Sequence, residues 1–312
     1  MKVKKLNVYN SKINQAVNNE YPTPLNSFKQ PALHLIIGQR TAGKSYLTSL
    51  MLAQAQKDKT FDKVYFIGPS FNSNRSYFER YIAPDAIYEP TKDAIDKVIQ
   101  RVENDKEDWE KYVVEKELYA KYLDDMKRDT GRIDDVKLMD YYTLKFFEGY
   151  VPHWKYEFEV PPRSLVICDD ILGSRALCQS SGLTKCATLN RHIAPLDDNY
   201  ANRSACGLGV WILCQTYKMR EGIGRALREN VSLLTLFKNK QKKQLDAIRE
   251  ELANVVDEEL FDLVYNYAIQ EKYDSLTIDF APKADEFRFR KNLNTLLIVD
   301  DKKDITEKET NV

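Results

Sequence analysis

At 312 residues the chain is longer than a typical single domain, so its length admits one large α/β domain with insertions or two domains. Its 47 Lys and Arg balance 47 Asp and Glu, which excludes a long-range charge bias toward nucleic acid or an anionic membrane and leaves any such affinity to local patches. The N-terminus lacks an apolar secretory core, and no run of about 18 apolar residues could span a bilayer, so a soluble intracellular protein is expected.

Residues 1–30 are polar, with scattered Asn, Lys and Pro, and read as an arm. The main domain is expected over 31–300. It opens with the apolar run Leu33–Ile37, followed at once by Gly38-Gln39-Arg40-Thr41-Ala42-Gly43-Lys44-Ser45 and a helical pattern over Tyr46–Gln56. Strand, G-x-x-x-x-G-K-[ST] and helix in that order form a phosphate-binding loop. Glycines let backbone N–H groups curl closely around an anion while the helix N-terminus points at it. Lys44 is expected on the β- and γ-phosphates of ATP, and Ser45 on Mg²⁺.

A second strand is predicted at Lys63–Ile67. The stretch from about 91 to 150 differs in character, being highly charged and acidic, with helical spacing at Ile95, Val98, Ile99 and Val102 and again at Tyr119, Tyr122, Leu123 and Met126. It reads as a helical insertion, either a lid or protomer contact or simply amphipathic helices over one sheet edge. Ser164–Cys168 then forms a buried-type strand ending in Asp169 and Asp170, the form of a Walker B element. Asp169 is expected to anchor Mg²⁺ and Asp170 to orient the attacking water, because only a turning chain end lets successive side chains serve one site.

The five cysteines, Cys168, Cys178, Cys186, Cys206 and Cys214, include no C-x-x-C pair, and free thiols in a reducing compartment are expected. Cys178, Cys186, His192 and Cys206 could converge on zinc, but their spacings are not those of a knuckle or ribbon. Arg191 precedes His192, which reads as a structural hydrogen-bonding residue. The strand Gly209–Cys214 ends in Gln215, an amide able to accept from an attacking water and donate to a γ-phosphate, hence a candidate sensor. A basic region follows, with Arg220, Arg225, Arg228, Lys238, Lys240, Lys242 and Lys243; it suits a solvated helix face, an arginine donated to a neighbouring site, or a DNA-backbone track. Further strands are predicted at Leu233–Phe237, Leu276–Phe280 and Thr295–Val299, and residues 301–312 read as a polar, mobile tail. Strands alternating with helices argue for a mainly parallel sheet.

The series GQRTAGKS, LVICDD, LTKCATLNRH, VWILCQTYK and GRALRENVSLLTLFK, over roughly residues 31 to 240, resembles the poxvirus-type DNA-packaging ATPases of large DNA viruses and virophages, within the FtsK/HerA superfamily of P-loop ATPases. The resemblance implies a RecA-like (ASCE) α/β fold with strand order 5-1-4-3-2, placing the Gln215 strand between the phosphate-loop and Asp169 strands. It implies ATP and Mg²⁺ as cofactors, and Arg228 as the arginine finger with Arg191 second. The implied activity is ATP hydrolysis driving double-stranded DNA, independently of its sequence, through a homo-oligomeric ring, expected to be a hexamer. A capsid protein at a portal or vertex would be the docking partner, and the place of action the host cytoplasm, a viral factory or the virion. Rival readings are another P-loop enzyme, such as a helicase, transposition ATPase or kinase, and an ATP-binding capsid-assembly module without motor activity. The chain departs from the resemblance at Ile193–Cys206, a polar loop between Arg191 and the sensor strand, and in the length of its acidic insertion.

Overall fold

Five apolar strands form the centre of the molecule: β1 (Leu33–Ile37), β2 (Lys63–Ile67), β4 (Ser164–Asp169), β7 (Leu208–Cys214) and β8 (Leu233–Phe237), with β3 (Ile87–Tyr88) beyond β2. Every residue of β1, β4, β7 and β8 is buried, as expected of parallel strands covered on both faces. The computed structural model describes residues 19–128, 133–200, 203–218, 222–239, 241–300 and 304–309.

The central strands pair in parallel in the spatial order β8-β1-β7-β4-β2. Numbered among themselves along the chain they run 5-1-4-3-2, the RecA-like order. The whole sheet differs from a five-stranded one, however, because it has ten strands among the described residues: β3 extends the β2 side in parallel, and β9 (Ser275–Asp279), β10 (Phe289–Lys291), β11 (Thr295–Val299) and β12 (Ile305–Glu309) extend the β8 side in antiparallel. The sequence leads to a mobile tail after residue 300, yet β12 pairs with β11 over five residues. Sheet pairing satisfies the backbone N–H and C=O groups of even a charged segment, which composition cannot reveal.

Helices connect these strands. Helix α1 (Lys44–Lys57) follows the phosphate-loop sequence, α2 (Arg75–Phe78) follows β2, and α3 (Ala94–Lys127) and α4 (Asp135–Thr143) make up most of the acidic insertion. The first half of α3 packs over the sheet through Ile95, Val98, Ile99 and Val102, and then through Trp109, whose ring meets Trp154 at 5.0 Å. Its second half leaves the sheet and forms an aromatic cluster with α4, in which Tyr122 meets Tyr141 at 5.3 Å and Phe146 at 5.5 Å. Helices α5 (Arg175–Cys178) and α6 (Ser181–Leu189) follow β4, α7 (Arg225–Glu229) precedes β8, and α8 (Lys242–Leu252) and α9 (Glu258–Ala268) link β8 to β9.

Two segments that read as polar connections are built structures. The loop before the sensor strand contains a hairpin of β5 (Pro195–Tyr200) and β6 (Arg203–Ala205). Buried Arg203 ties it down by donating to the carbonyls of Pro161 at 2.9 Å and Pro162 at 3.1 Å, and to that of Cys206. The described part of the N-terminal arm is likewise packed, with Tyr21 buried beneath the Arg203 guanidinium and Arg290 donating to the Asn26 carbonyl at 2.7 Å. Residues 1–18, Arg220 and Lys240 lie outside the described residues.

Candidate nucleotide site

At the C-terminal ends of β1, β4 and β7 lies a cleft of about 1180 Å³, lined by residues 40–47 of the loop and α1, by Asp169, Asp170 and Gln215, and by Ser70, Asn74 and Tyr77 from the segment after β2. Crevices at these strand ends, where the chain turns from strand to helix, are where ligands bind in open α/β sheets. Gly43, the residue before α1, has φ +104°, a left-handed conformation that strains any other residue. It turns the chain from the loop into the helix, so that the free N–H groups of the first turn of α1 face the cleft. Lys44 donates its ammonium to the loop's own carbonyls, Gly38 at 2.7 Å and Gln39 at 3.3 Å, and burial pulls its pKa down against the opposing pull of Asp169. Gly38, Gln39, Arg40, Thr41, Ala42 and Gly43 connect β1 to α1, and Lys44 and Ser45 open the helix.

The acid pair is brought together by backbone geometry. Asp169 is the last residue of β4, and Asp170 has φ +54° and ψ 36°, a left-handed turn in which both carboxylates line the cleft. Without that turn the strand's alternation would send them to opposite sides of the sheet. Asp169 is buried, and desolvation raises its pKa, opposed by donation from Ser70 and by the charge of Lys44. Gln215 directly follows β7, which lies between β1 and β4, and its Nε2 donates to Asp170 Oδ1 at 3.2 Å.

The donor set suits a hard divalent cation. Ser45 Oγ and Asp169 Oδ1 carry no hydrogen bond among the described residues, while Asp169 Oδ2 is engaged by Ser70 and Asn74. An alcohol and a carboxylate oxygen beside a phosphate cradle are ligands for Mg²⁺, which keeps several of its waters. No cluster of three or more His, Cys, Asp or Glu that could hold a metal exists among the described residues, and the five cysteines are free and buried, so the zinc set does not form there. His192 instead sits 3.3 Å from the amide of Asn19 through its Nδ1.

The two arginines lie elsewhere. Arg228 is clamped by Glu251, donating from Nε at 3.0 Å and Nη2 at 3.2 Å, with Nη1 on the Ile223 carbonyl at 2.6 Å and Tyr217 beneath the guanidinium. Its side chain is only 8% exposed and is committed to Glu251 within the same chain. Arg191 is half-buried in the turn Asn190–His192. The adjacent Asn190 donates to the carbonyls of Pro31 and Leu208, which places the turn at the N-terminal ends of β1 and β7, across the sheet from the cleft. In the basic region Arg225 is paired with Glu229 and Lys238 donates to the Gln270 carbonyl, while Lys242 and Lys243 open α8.

Ser70 and Asn74 were not legible as site residues, since 99 and 95 positions separate them from Asp169. The available signal was the turn Gly68-Pro69-Ser70 at the C-terminal end of a central strand. Tyr46, Tyr77 and Tyr273 also line the cleft, Tyr46 and Tyr77 meeting edge to face at 6.4 Å.

The strand order, the loop and the acid pair define a RecA-like P-loop NTPase fold. Among solved structures the chain is similar to the genome packaging NTPase B204 from Sulfolobus turreted icosahedral virus 2 in complex with AMPPCP, at 10% identity and TM-score 0.44 over 84% of this chain and 97% of that one. It is also similar to the pCW3 conjugation coupling protein TcpA with ATPγS, at 14% identity and TM-score 0.41, over 83% and 58% of the two chains. A third is EssC (ATPases 2 and 3) from Geobacillus thermodenitrificans, at 12% identity and TM-score 0.38, over 75% and 39%. No protein-family model and no curated protein matches the sequence.

Proposed function

We propose that the chain is an ATP-hydrolysing oligomeric motor that translocates double-stranded DNA and packages a viral genome into a capsid. The observation that carries hydrolysis is the meeting of the phosphate loop, the Asp169–Asp170 pair and Gln215 in one cleft, with Gln215 bonded to Asp170. A module that only binds ATP has no need of a carboxylate held by an amide beside the γ-phosphate position.

In this reading Lys44 exchanges the carbonyls of Gly38 and Gln39 for the β- and γ-phosphates, and the loop N–H groups hold the remaining charge. Ser45 and Asp169 would hold Mg²⁺, which would supply neutralisation of charge on the transferred phosphoryl group. Asp170 orients the attacking water and takes up its proton, and Gln215, released from Asp170, reports the γ-phosphate to β7. The arginine from a neighbouring protomer is then Arg191 rather than Arg228, whose guanidinium is already spent on Glu251. DNA is held through its phosphates, because a motor must pass every base with similar affinity. The exposed stripe Val136, Met139 and Tyr142 on α4, with exposures of 68, 69 and 62%, favours a protein contact there, either a second protomer or a capsid component.

Steady-state ATP hydrolysis with and without long double-stranded DNA tests the proposal, comparing the native chain with Lys44→Ala, Asp170→Asn and Arg191→Ala. DNA stimulation in the native chain, lost in all three variants while Asp170→Asn still binds ATP, is expected. Hydrolysis indifferent to DNA and to Arg191 would withdraw the packaging motor in favour of a P-loop enzyme acting within one protomer.

A further inference from the structure

We infer that Ser70 and Asn74 are positioning residues that fix the rotation of the Asp169 carboxylate and thereby set the affinity of the site for its divalent cation. The inference rests on the proposed ATPase reading of the cleft.

Both donors reach the same oxygen. Ser70 Oγ donates to Asp169 Oδ2 at 2.6 Å and Asn74 Nδ2 to the same atom at 3.1 Å. Asp169 Oδ1 is left without a hydrogen bond among the described residues, in a cleft that Ser45 also lines. A carboxylate at a strand end rotates freely about its last torsion, and two donors converging on one oxygen remove that freedom. They also decide which lone pairs remain for a metal or its waters. Outer-shell partners of this kind orient metal-ligating carboxylates.

The two donors are themselves held. A side chain at Gly68 would overlap the Asp169 carbonyl oxygen, so the end of β2 lies directly against the backbone of Asp169. The Asn74 N–H donates to the Ser70 carbonyl at 3.0 Å and the Ser73 hydroxyl to the same carbonyl at 2.8 Å, so Ser70 and Asn74 belong to one closed turn. That turn runs into α2, where Tyr77 meets Tyr46 of α1, two residues beyond Lys44. The cation site is therefore braced from the β2 side as well as from the phosphate loop.

Binding of a fluorescent methylanthraniloyl-ATP to the full chain, in EDTA and across a Mg²⁺ titration, tests this without requiring turnover. For Ser70→Ala, and more strongly for Ser70→Ala with Asn74→Ala, metal-free affinity should stay within about twofold of native. The Mg²⁺ concentration for half-maximal enhancement should rise about tenfold or more, and Ser70→Thr, which keeps the hydroxyl, should restore it. Asn74→Ala alone, at a half-buried position, supplies the same readout if the double variant does not fold. An unchanged Mg²⁺ dependence would overturn the inference, as would an equal fall in metal-free and metal-bound affinity, the signature of a merely structural role. A native chain that binds no ATP in either condition would instead overturn the proposed function itself.

Discussion

Arg228 and Glu251 form a two-pronged pair with Tyr217, which donates its hydroxyl to Glu251 Oε2 at 2.8 Å and lies beneath the guanidinium. Removing either charge strands the other in a partly desolvated place, so Arg228→Ala and Glu251→Ala should each cost about 2 kcal/mol, and the double variant little more than either. Denaturant unfolding of the three variants measures this. A larger loss of ATPase activity in Arg228→Ala than in Glu251→Ala would return Arg228 to the site. At this scale the loop 38–45 was legible because all its chemistry lies in consecutive residues. The occupation of Arg228 was not, because its partner lies 23 positions on and across another element.

Among the strands, β1 carries a buried polar side chain in an otherwise apolar run. His34 Nε2 lies 2.8 Å from Thr235 Oγ1 of β8, which lies 2.8 Å from Thr277 Oγ1 of β9, a polar line across three neighbouring strands. Burial pulls the His34 pKa from 6.5 down to about 3, so the folded chain keeps the imidazole neutral while the unfolded chain takes a proton below pH 6.5. The stability contribution is therefore complete above that pH and lost as pH falls toward the folded value, at about 1.4 kcal/mol per unit. Between pH 7 and 5 the native chain should lose about 2 kcal/mol more than His34→Gln, read from urea unfolding at each pH. By contrast, Met139→Glu on the exposed stripe of α4 should change stability by less than about 0.5 kcal/mol, because it unpacks no core. Apolar runs announced β1, β2, β4, β7 and β8, since a doubly covered strand has little choice of residue. The hairpin β5–β6 and the edge strand β12 carried no such signal, their pairing being backbone hydrogen bonding available to polar residues.

For the whole molecule, a ligand that binds only the folded state stabilises it by mass action. Saturating Mg²⁺ with a slowly hydrolysed ATP analogue at about 100 times Kd should add about 2.7 kcal/mol. That corresponds to a rise in Tm of several degrees for a chain of this size, in the native protein and not in Lys44→Ala. Thermal unfolding with and without the analogue checks it, and equal Tm values in the native chain would argue against a preformed nucleotide site. With no net charge, any attraction to DNA must come from local patches, so the proposed motor should show DNA stimulation that weakens as salt rises from 50 to 200 mM.

The amino-acid sequence by itself determined the phosphate loop, the acid-ended strand, the amide-ended strand and the central parallel strands, because each is written in a short continuous segment whose residues contact one another or are covered on both faces. Tertiary structure decided what those segments meet. It set the left-handed turn that puts Asp169 and Asp170 in one cleft, the clasp of Ser70 and Asn74 on Asp169, and the capture of Arg228 by Glu251. It also drew the polar end of the chain into the sheet as β12. Each depends on which distant residue is brought within hydrogen-bonding range, and at that distance along the chain a polar side chain is compatible with many partners until the packing of the sheet and helices leaves it one.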